Sequence, residues 1–506
     1  MLVTLRESGA LSNQVYTGLR RAILAGELAA GARLPSTRTL AHDLDVSRNT
    51  VLLAYDQLLA EGYVEGRTGS GTYVARALPD VAPASARARK RRTSVKQPAL
   101  SAYGRRLAGI VAGARSPVEE RLPYDFRYGA PTVEEFPHAV WRTLLARHAR
   151  AATMASMTYG PREGLPELRR AIADYLHRVR AVACDAEHVL VVNGAQQALD
   201  LIARVLVDAD DTVVLEDPSY IGARSVFHAA GARLVSVPVD DEGLDATRLP
   251  RAAARARLAY VTPSHQFPTG VVMSLRRRLA LLEWARKGDA WVVEDDYDSE
   301  YRYEGRPIEA VQGLDGAGRV IYVGTMSKVL YPALRLGYLV LPPALVEPFR
   351  AAKWAVDRHS PTLEQQVLAD FIAEGHFERH LRRSRTRHAA RRATLLCALE
   401  ATLGDRVEVI GANTGKHVVV WLRDLPARSV PRLVTEARRD GVGVYSVAPY
   451  YATPPPRAGL ILGYTPLEES RIAEGIHRLA AAVDRVRTAV SSAARSRDTA
   501  ARSAPR

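Results

Sequence analysis

The chain has 506 residues, of which 47% are hydrophobic but only 7% aromatic, and it carries a formal net charge of +15. This exceeds one ordinary domain, so two or three domains with aliphatic cores are expected, and the basic balance suits an anionic polymer as partner. Cys184 and Cys397 lie far apart in sequence, which excludes a disulfide framework or a cysteine metal cluster; with no signal-peptide layout at 1–7 and no membrane-length apolar run, a cytoplasmic protein with no membrane partner is expected.

The first predicted helix places Val15, Leu19, Ala22, Ile23 and Leu24 on one face and ends at Gly26. Two short helices are predicted over 36–44 and 47–61, with Ser36 and Ser47 as N-caps and the tight link Asp45-Val46 between them. That is helix-turn-helix spacing, in which the second helix enters the major groove led here by Ser47, Arg48, Asn49 and Thr50. After Gly62 the pattern turns into two short strands over 63–74, a hairpin with Arg67 at a glycine-rich tip that could act as a wing in the minor groove. A plain helical domain with a polar turn is the competing reading, and the ordered succession of turn, capped helix and basic wing favours DNA.

The stretches Leu34-Pro-Ser-Thr-Arg-Thr-Leu-Ala41, Val46-Ser-Arg-Asn-Thr-Val51, Glu61-Gly-Tyr63 and Gly69-Ser-Gly-Thr-Tyr-Val74 resemble the GntR family of winged-helix regulators. The resemblance spans a domain at 11–77. It implies contacts to a double-stranded DNA operator from Arg38, Arg48, Arg67, Gly69 and Gly71. Residues 78–122, rich in Ala, Pro, Ser and Arg with the run Arg87-Ala-Arg-Lys-Arg-Arg92, are expected to be a basic flexible linker.

From 123 to 490, apolar strand-like runs at 189–192, 212–215, 233–237, 258–261, 291–293 and 320–323 alternate with helical stretches, which argues for an α/β domain with a mostly parallel sheet. The informative residues fall at strand ends, where such sheets hold ligands. Asn193-Gly194 opens a helix whose amides at Ala195 and Gln196 would face an anion. Tyr220 follows another strand and could stack on a planar ring. In Glu294-Asp-Asp-Tyr-Asp298, alternation points Asp295 and Tyr297 the same way, so the acid could hold a protonated pyridine nitrogen and the tyrosine a ring oxygen. A metal site at Glu294, Asp295, Asp296 and Asp298 is the poorer alternative, since neighbours on a strand diverge. Lys328, after Thr325 and Ser327 and seven residues before Arg335, supplies an amine for an imine with pyridoxal 5′-phosphate (PLP), with hydroxyls and a guanidinium for its phosphate.

Together with Tyr159-Gly160, Asp217-Pro-Ser-Tyr220 and Pro268-Thr-Gly270, these residues resemble the fold-type I aminotransferases over roughly 125–485. The resemblance implies a Schiff base on Lys328, Asp295 at the pyridine nitrogen, Tyr297 at the ring oxygen, Tyr220 stacked on the ring, and Ala195, Gln196, Thr325, Ser327 and Arg335 at the phosphate. The order of domains resembles the MocR/GabR subgroup of GntR regulators, which implies a homodimer sensing PLP itself or an amine or amino-acid effector. The enzymes of the fold carry Asn where Phe267 stands, and an arginine for the substrate carboxylate where 460–464 has none; Arg457 lies only nearby, and Gly222 stands where GabR-like proteins carry another arginine, with Arg224 two residues on. The alternative function is an active aminotransferase carrying a DNA-binding domain. Residues 491–506 are expected to form a disordered tail.

Overall fold

The computed structural model describes residues 5, 9–67, 69–76, 99–111, 122–130, 132–151, 157–305 and 308–502. It divides into two units, Met1–Ala99 and Leu100–Arg506. In the first, helix α1 (Leu11–Leu24) buries Val15, Leu19, Ala22 and Ile23, whereas Leu24, expected on the same face, is 39% exposed at the helix end. Helices α2 (Thr37–Asp43) and α3 (Arg48–Ala60) begin on the expected caps: the Ser36 and Ser47 hydroxyls accept from the amides of Thr39 and Thr50, each at 3.1 Å. Such a cap contributes about 1 kcal/mol. Asp45 makes the turn between them with φ of 51°. Strands β1 (Val64–Arg67) and β2 (Gly71–Val74) form the antiparallel hairpin, and Val74 closes a core with Val15, Leu19, Leu40, Val51 and Leu58.

Of the linker expected over 78–122, residues 78–98 and 112–121, with the basic run at 87–92, lie outside the described residues. The remainder departs from a flexible tether. Residues Ala102–Val111 form helix α4, capped by the Ser101 hydroxyl at 3.0 Å from the Gly104 amide and tied to the large unit by Arg106 Nε, which donates to the Ala229 carbonyl at 2.9 Å. Leu107 and Ile110, three residues apart, are half-buried, a helical spacing that the Ala/Arg-rich surroundings mask.

The large unit begins with β3 (Tyr124–Asp125) and then builds a sheet from β4 (Val189–Val192), β5 (Thr212–Asp217), β6 (Arg233–Asp240), β7 (Gly243–Leu244), β8 (Leu258–Val261), β9 (Trp291–Asp296), β10 (Val320–Thr325) and β11 (Gly337–Val340). Its order is β4-β11-β10-β9-β8-β5-β6-β7. All six expected strands are present. The run from β10 through β9, β8 and β5 to β6 is parallel, while β11 runs antiparallel between β10 and β4. The C-terminal ends of β5, β8, β9 and β10 therefore open on one edge. The continuous apolar runs of β4, β8, β10 and β11 are buried at every residue and hence on both faces, which is why they lack a period-two pattern.

A second antiparallel sheet joins β12 (Val407–Ile410), β13 (His417–Pro426), β16 (Arg457–Gly463) and β15 (Tyr445–Ser446), while β14 (Val442–Gly443) pairs with β3. Helix His376–Leu403 and the final helix cover it through Leu395, Leu399, Ile476 and Val483. That final helix runs Glu469–Arg502, so the expected disordered tail is helical as far as 502; Ala and Arg, which dominate its sequence, are strong helix formers. Among the described residues no helix is long and apolar enough to cross a membrane.

Candidate functional site

The edge where β5, β8, β9 and β10 end opens on a cavity of about 230 Å³. All nine residues expected at a cofactor line it: Ala195, Gln196, Tyr220, Asp295, Tyr297, Thr325, Ser327, Lys328 and Arg335. So do Tyr128, Gly129, Tyr260, Thr262, Phe267, Asp298, Pro332, Lys416 and His417, most of which no local motif had marked.

One end of the cavity is built for an anion. The helix Ala195–Leu206 starts there, and its first amides have no intrahelical acceptor. Gly194, with φ of 85°, precedes it, and a Cβ there would stand 3.1 Å from both terminal nitrogens of Arg335. Arg335 in turn donates to the Asn193 carbonyl, so guanidinium and helix start converge. The Thr325 hydroxyl accepts from the Ser327 amide at 3.2 Å, which fixes the turn that leads into Lys328.

The walls hold the titratable groups. Burial pulls the Lys328 amine below its ordinary value, and Asp298 and Asp295 oppose that pull. Burial pushes Asp295 up to about 7, against a hydrogen bond of 2.7 Å from the Tyr260 hydroxyl to its Oδ2. Asp295 Oδ1 is buried without a partner. A buried carboxylate with one free oxygen beside a desolvated lysine is a fitting place for a protonated pyridine nitrogen, and the donors at the other end fit a phosphate; the residues present fit PLP. Tyr220 packs edge-on against Phe267 with ring centroids 6.0 Å apart, and burial raises its hydroxyl to about 12.

The acidic run separates as alternation requires. Glu294 accepts the amides of Val311 and Gln312 at 2.9 Å each, and Asp296 takes Arg180, Ser299 and Tyr322 at 2.9, 2.8 and 2.6 Å. Neither shares a ligand position with Asp295. His265, Asp298 and His417 do present donor atoms within 4.8 Å of one another. Their contacts are those of a hydrogen-bonded network: His265 Nδ1 meets both Asp298 oxygens at 3.0 Å, and His417 Nε2 meets the Pro268 carbonyl at 3.0 Å.

The arginines considered for a carboxylate are committed elsewhere. Arg224 donates to the carbonyls of Pro449, Tyr450 and Tyr451, and Arg457 pairs with Glu408 at 2.9 Å and lies over the Trp421 ring. The cavity instead receives Lys416, whose Nζ donates to the Lys328 carbonyl at 2.8 Å and which burial lowers to about 8.

In the first unit Arg38, Ser47, Arg48, Asn49, Arg67, Gly69 and Gly71 are exposed, and Thr50 is half-buried. The Ser47 and Thr50 hydroxyls are 2.9 Å apart within the cap, which leaves Asn49 and Arg48, whose Nε donates to the Thr37 hydroxyl at 3.5 Å, as the exposed leading side chains of α3. Arg67 is braced by Glu65 at 2.8 Å and by the Tyr73 ring 4.5 Å below it.

The family model for aminotransferases of class I and II matches residues 125–457, and the model for bacterial regulatory proteins of the gntR family matches 11–74. The chain is 42% identical to the probable rhizopine catabolism regulatory protein MocR of Rhizobium meliloti, over 95% of this chain and 96% of that protein. It is 31% identical to the pyridoxine biosynthesis transcriptional regulator PdxR of Corynebacterium glutamicum, over 92% and 94%. Among solved structures it is similar to LysN, the α-aminoadipate aminotransferase of Thermus thermophilus complexed with N-(5′-phosphopyridoxyl)-L-leucine: TM-score 0.68, 31% identity, 75% of this chain and 97% of that one.

Proposed function

This chain belongs to the MocR type of GntR regulators, DNA-binding transcription regulators whose large domain is a PLP-binding aminotransferase fold, and from that premise we propose that it reports PLP status to its operator. Bound PLP supplies an aldehyde that condenses with amines and an electron-withdrawing ring. Lys328 offers the amine, kept in reach of neutrality by burial. Asp295 Oδ1 holds a proton at the pyridine nitrogen, Tyr297 donates to the ring oxygen, and Tyr220 covers a ring face. The amides of Ala195 and Gln196, the hydroxyls of Thr325 and Ser327, and Arg335 neutralise the phosphate. Arg38, Arg48, Asn49, Arg67 and the wing glycines engage DNA, with Ser47 and Thr50 holding α3 in shape for it.

The observation that carries this reading is the division of the pocket: the PLP-facing set is assembled, while Arg224 and Arg457 are bound to protein acceptors. That favours sensing over turnover. The similarity to PdxR, a pyridoxine biosynthesis regulator, supports PLP as the signal. A second reading, an amine effector that joins PLP, is favoured by Lys416 and His417 in the cavity wall and by the similarity to MocR. The working species in both is a cytoplasmic homodimer on two half-sites. The ligand acts only by binding the two DNA-binding arrangements unequally.

Fluorescence anisotropy on the gene's own upstream DNA, with cofactor-free and PLP-loaded protein, tests this. PLP changes the affinity, and Lys328→Ala abolishes the change. An unchanged affinity that responds only once amines are added selects the second reading. No binding in either form overturns both for that DNA.

A further inference from the structure

Asp298 lines the pocket and His265 is hydrogen-bonded behind it, and neither has been given a part in holding the cofactor. His265 is 1% exposed and Asp298 is 2% exposed at the side chain. Both carboxylate oxygens of Asp298 stand 3.0 Å from His265 Nδ1, and the Tyr297 hydroxyl stands 2.9 Å from the same nitrogen. A carboxylate only accepts, so the proton resides on Nδ1 and that nitrogen is a donor. The Tyr297 oxygen, sharing this N–H, is then an acceptor toward His265. Its own hydrogen is left to point elsewhere, and the cavity that Tyr297 lines is the open direction.

The ring cannot swing away from this arrangement. A Cβ on Gly415 would stand 1.9 Å from His265 Cε1, and one on Gly270 would stand 2.9 Å from Nε2, so the imidazole is clamped between two glycine backbones. His417 lies against it with centroids 5.1 Å apart, and burial lowers His417 to about 4, which leaves that ring neutral. Burial and the charges of Asp298, Asp295, Glu216 and Asp296 all hold the Tyr297 hydroxyl protonated, and Asp298 also favours the charged forms of Lys328 and Lys416. Phe267 packs edge-on against Tyr297 at 5.8 Å and has no hydrogen to donate to a ring oxygen.

We propose that Asp298 and His265 are positioning residues that fix Tyr297 as a hydrogen-bond donor into the PLP pocket. This rests on the reading above, in which Tyr297 meets the ring oxygen of PLP. A donor there favours the form with full negative charge on that oxygen, which is the deprotonated form of the bound chromophore. Asp298→Asn lets an amide N–H face Nδ1, moves the ring proton to Nε2, and turns the Tyr297 hydroxyl back toward His265.

The test is the visible absorption of PLP-loaded protein as a function of pH. The midpoint rises by about one pH unit in Asp298→Asn and in Tyr297→Phe, the scale of one hydrogen bond to a charged group, and the double variant moves no further than Tyr297→Phe. A midpoint unmoved by Asp298→Asn, or a double variant that shifts by the sum, overturns the proposal. If Asp298→Asn does not fold, His265→Gln reads the same link with the same expected rise. Wild-type protein that forms no chromophore overturns the reading of the pocket itself; a chromophore with an unmoved midpoint overturns the positioning pair alone.

Discussion

Gly129→Ala asks whether the cavity is shaped around the Lys328 amine. Gly129 has φ of 70°, and a Cβ built on it would stand 2.5 Å from Lys328 Nζ and 3.7 Å from Cε. Two costs follow, and they separate. Holding alanine in the left-handed region costs about 1–2 kcal/mol. That cost is present with and without PLP and cancels in a binding measurement. The second falls on the lysine alone: ordinary contact begins near 3.5 Å, so the amine must retreat by about 1 Å. Misplacing a reacting atom by that much weakens bond formation up to roughly 100-fold. The expected PLP dissociation constant is therefore tenfold to about 100-fold higher, equivalent to about 1.4–2.8 kcal/mol. Gly318 is the control, since its φ is 65° and no neighbouring heavy atom lies within 4 Å of its built Cβ. Gly318→Ala carries the same backbone cost and leaves PLP affinity unchanged. The assay is absorbance titration of cofactor-free protein with PLP, with thermal melts alongside. Gly129→Ala binding PLP like wild type, or both variants losing affinity equally, refutes the reasoning.

Asp295→Asn separates the acid's stability from its function. Burial raises its folded pKa to about 7, above the unfolded value of about 3.9, so the unfolded state loses its proton first and stability falls as pH rises from about 4 to 7. The cofactor-free variant should show a flatter melting temperature between about pH 4 and 7, while its PLP affinity drops about tenfold or more; an unchanged pH slope contradicts the assignment. Arg48→Ala should weaken DNA binding about equally across sequences and lower the salt slope by about 1, if the exposed Arg48 meets a phosphate. A change confined to one base position would place it at a base edge instead.

What was legible in the sequence follows from what is local. Lys328, Asp295 and Tyr297 sit at or just past the ends of apolar strands, and β-alternation already oriented Asp295 and Tyr297; Ser36 and Ser47 announced their helices by cap chemistry. The rest of the pocket comes from distant chain segments brought in by topology. Tyr260 reads as one more apolar position of β8 until β9 is laid beside it, with Val261 opposite Glu294. Gly129 lies in a loop without periodicity, and Lys416 and His417 open a strand of the second sheet, far along the chain from the lysine they accompany. Strand β11 is only four residues long and begins two residues after Arg335, so no turn signal separates its apolar run from the Lys328 segment.

The missing carboxylate arginine is built into the packing and is more than an omission. Gly222 stands where an arginine was considered, and a Cβ there would lie 2.3 Å from the Tyr220 ring and 2.6 Å from Gln196 Oε1. A longer side chain would displace the very residues placed over the ring and the phosphate. Arg224 cannot substitute, because its guanidinium satisfies successive carbonyls at 449–451, in the turn before β16. Removing it would take a shared donor from three carbonyls, of which that of Tyr450 also accepts from the Ser219 amide at 2.9 Å. A chain derived from a catalyst by loss of one side chain could regain activity by one substitution. Here Tyr220, Gln196 and the 449–451 turn would all have to move before an arginine at 222 or a released Arg224 could face the cavity, so neither position supplies a carboxylate partner by one substitution.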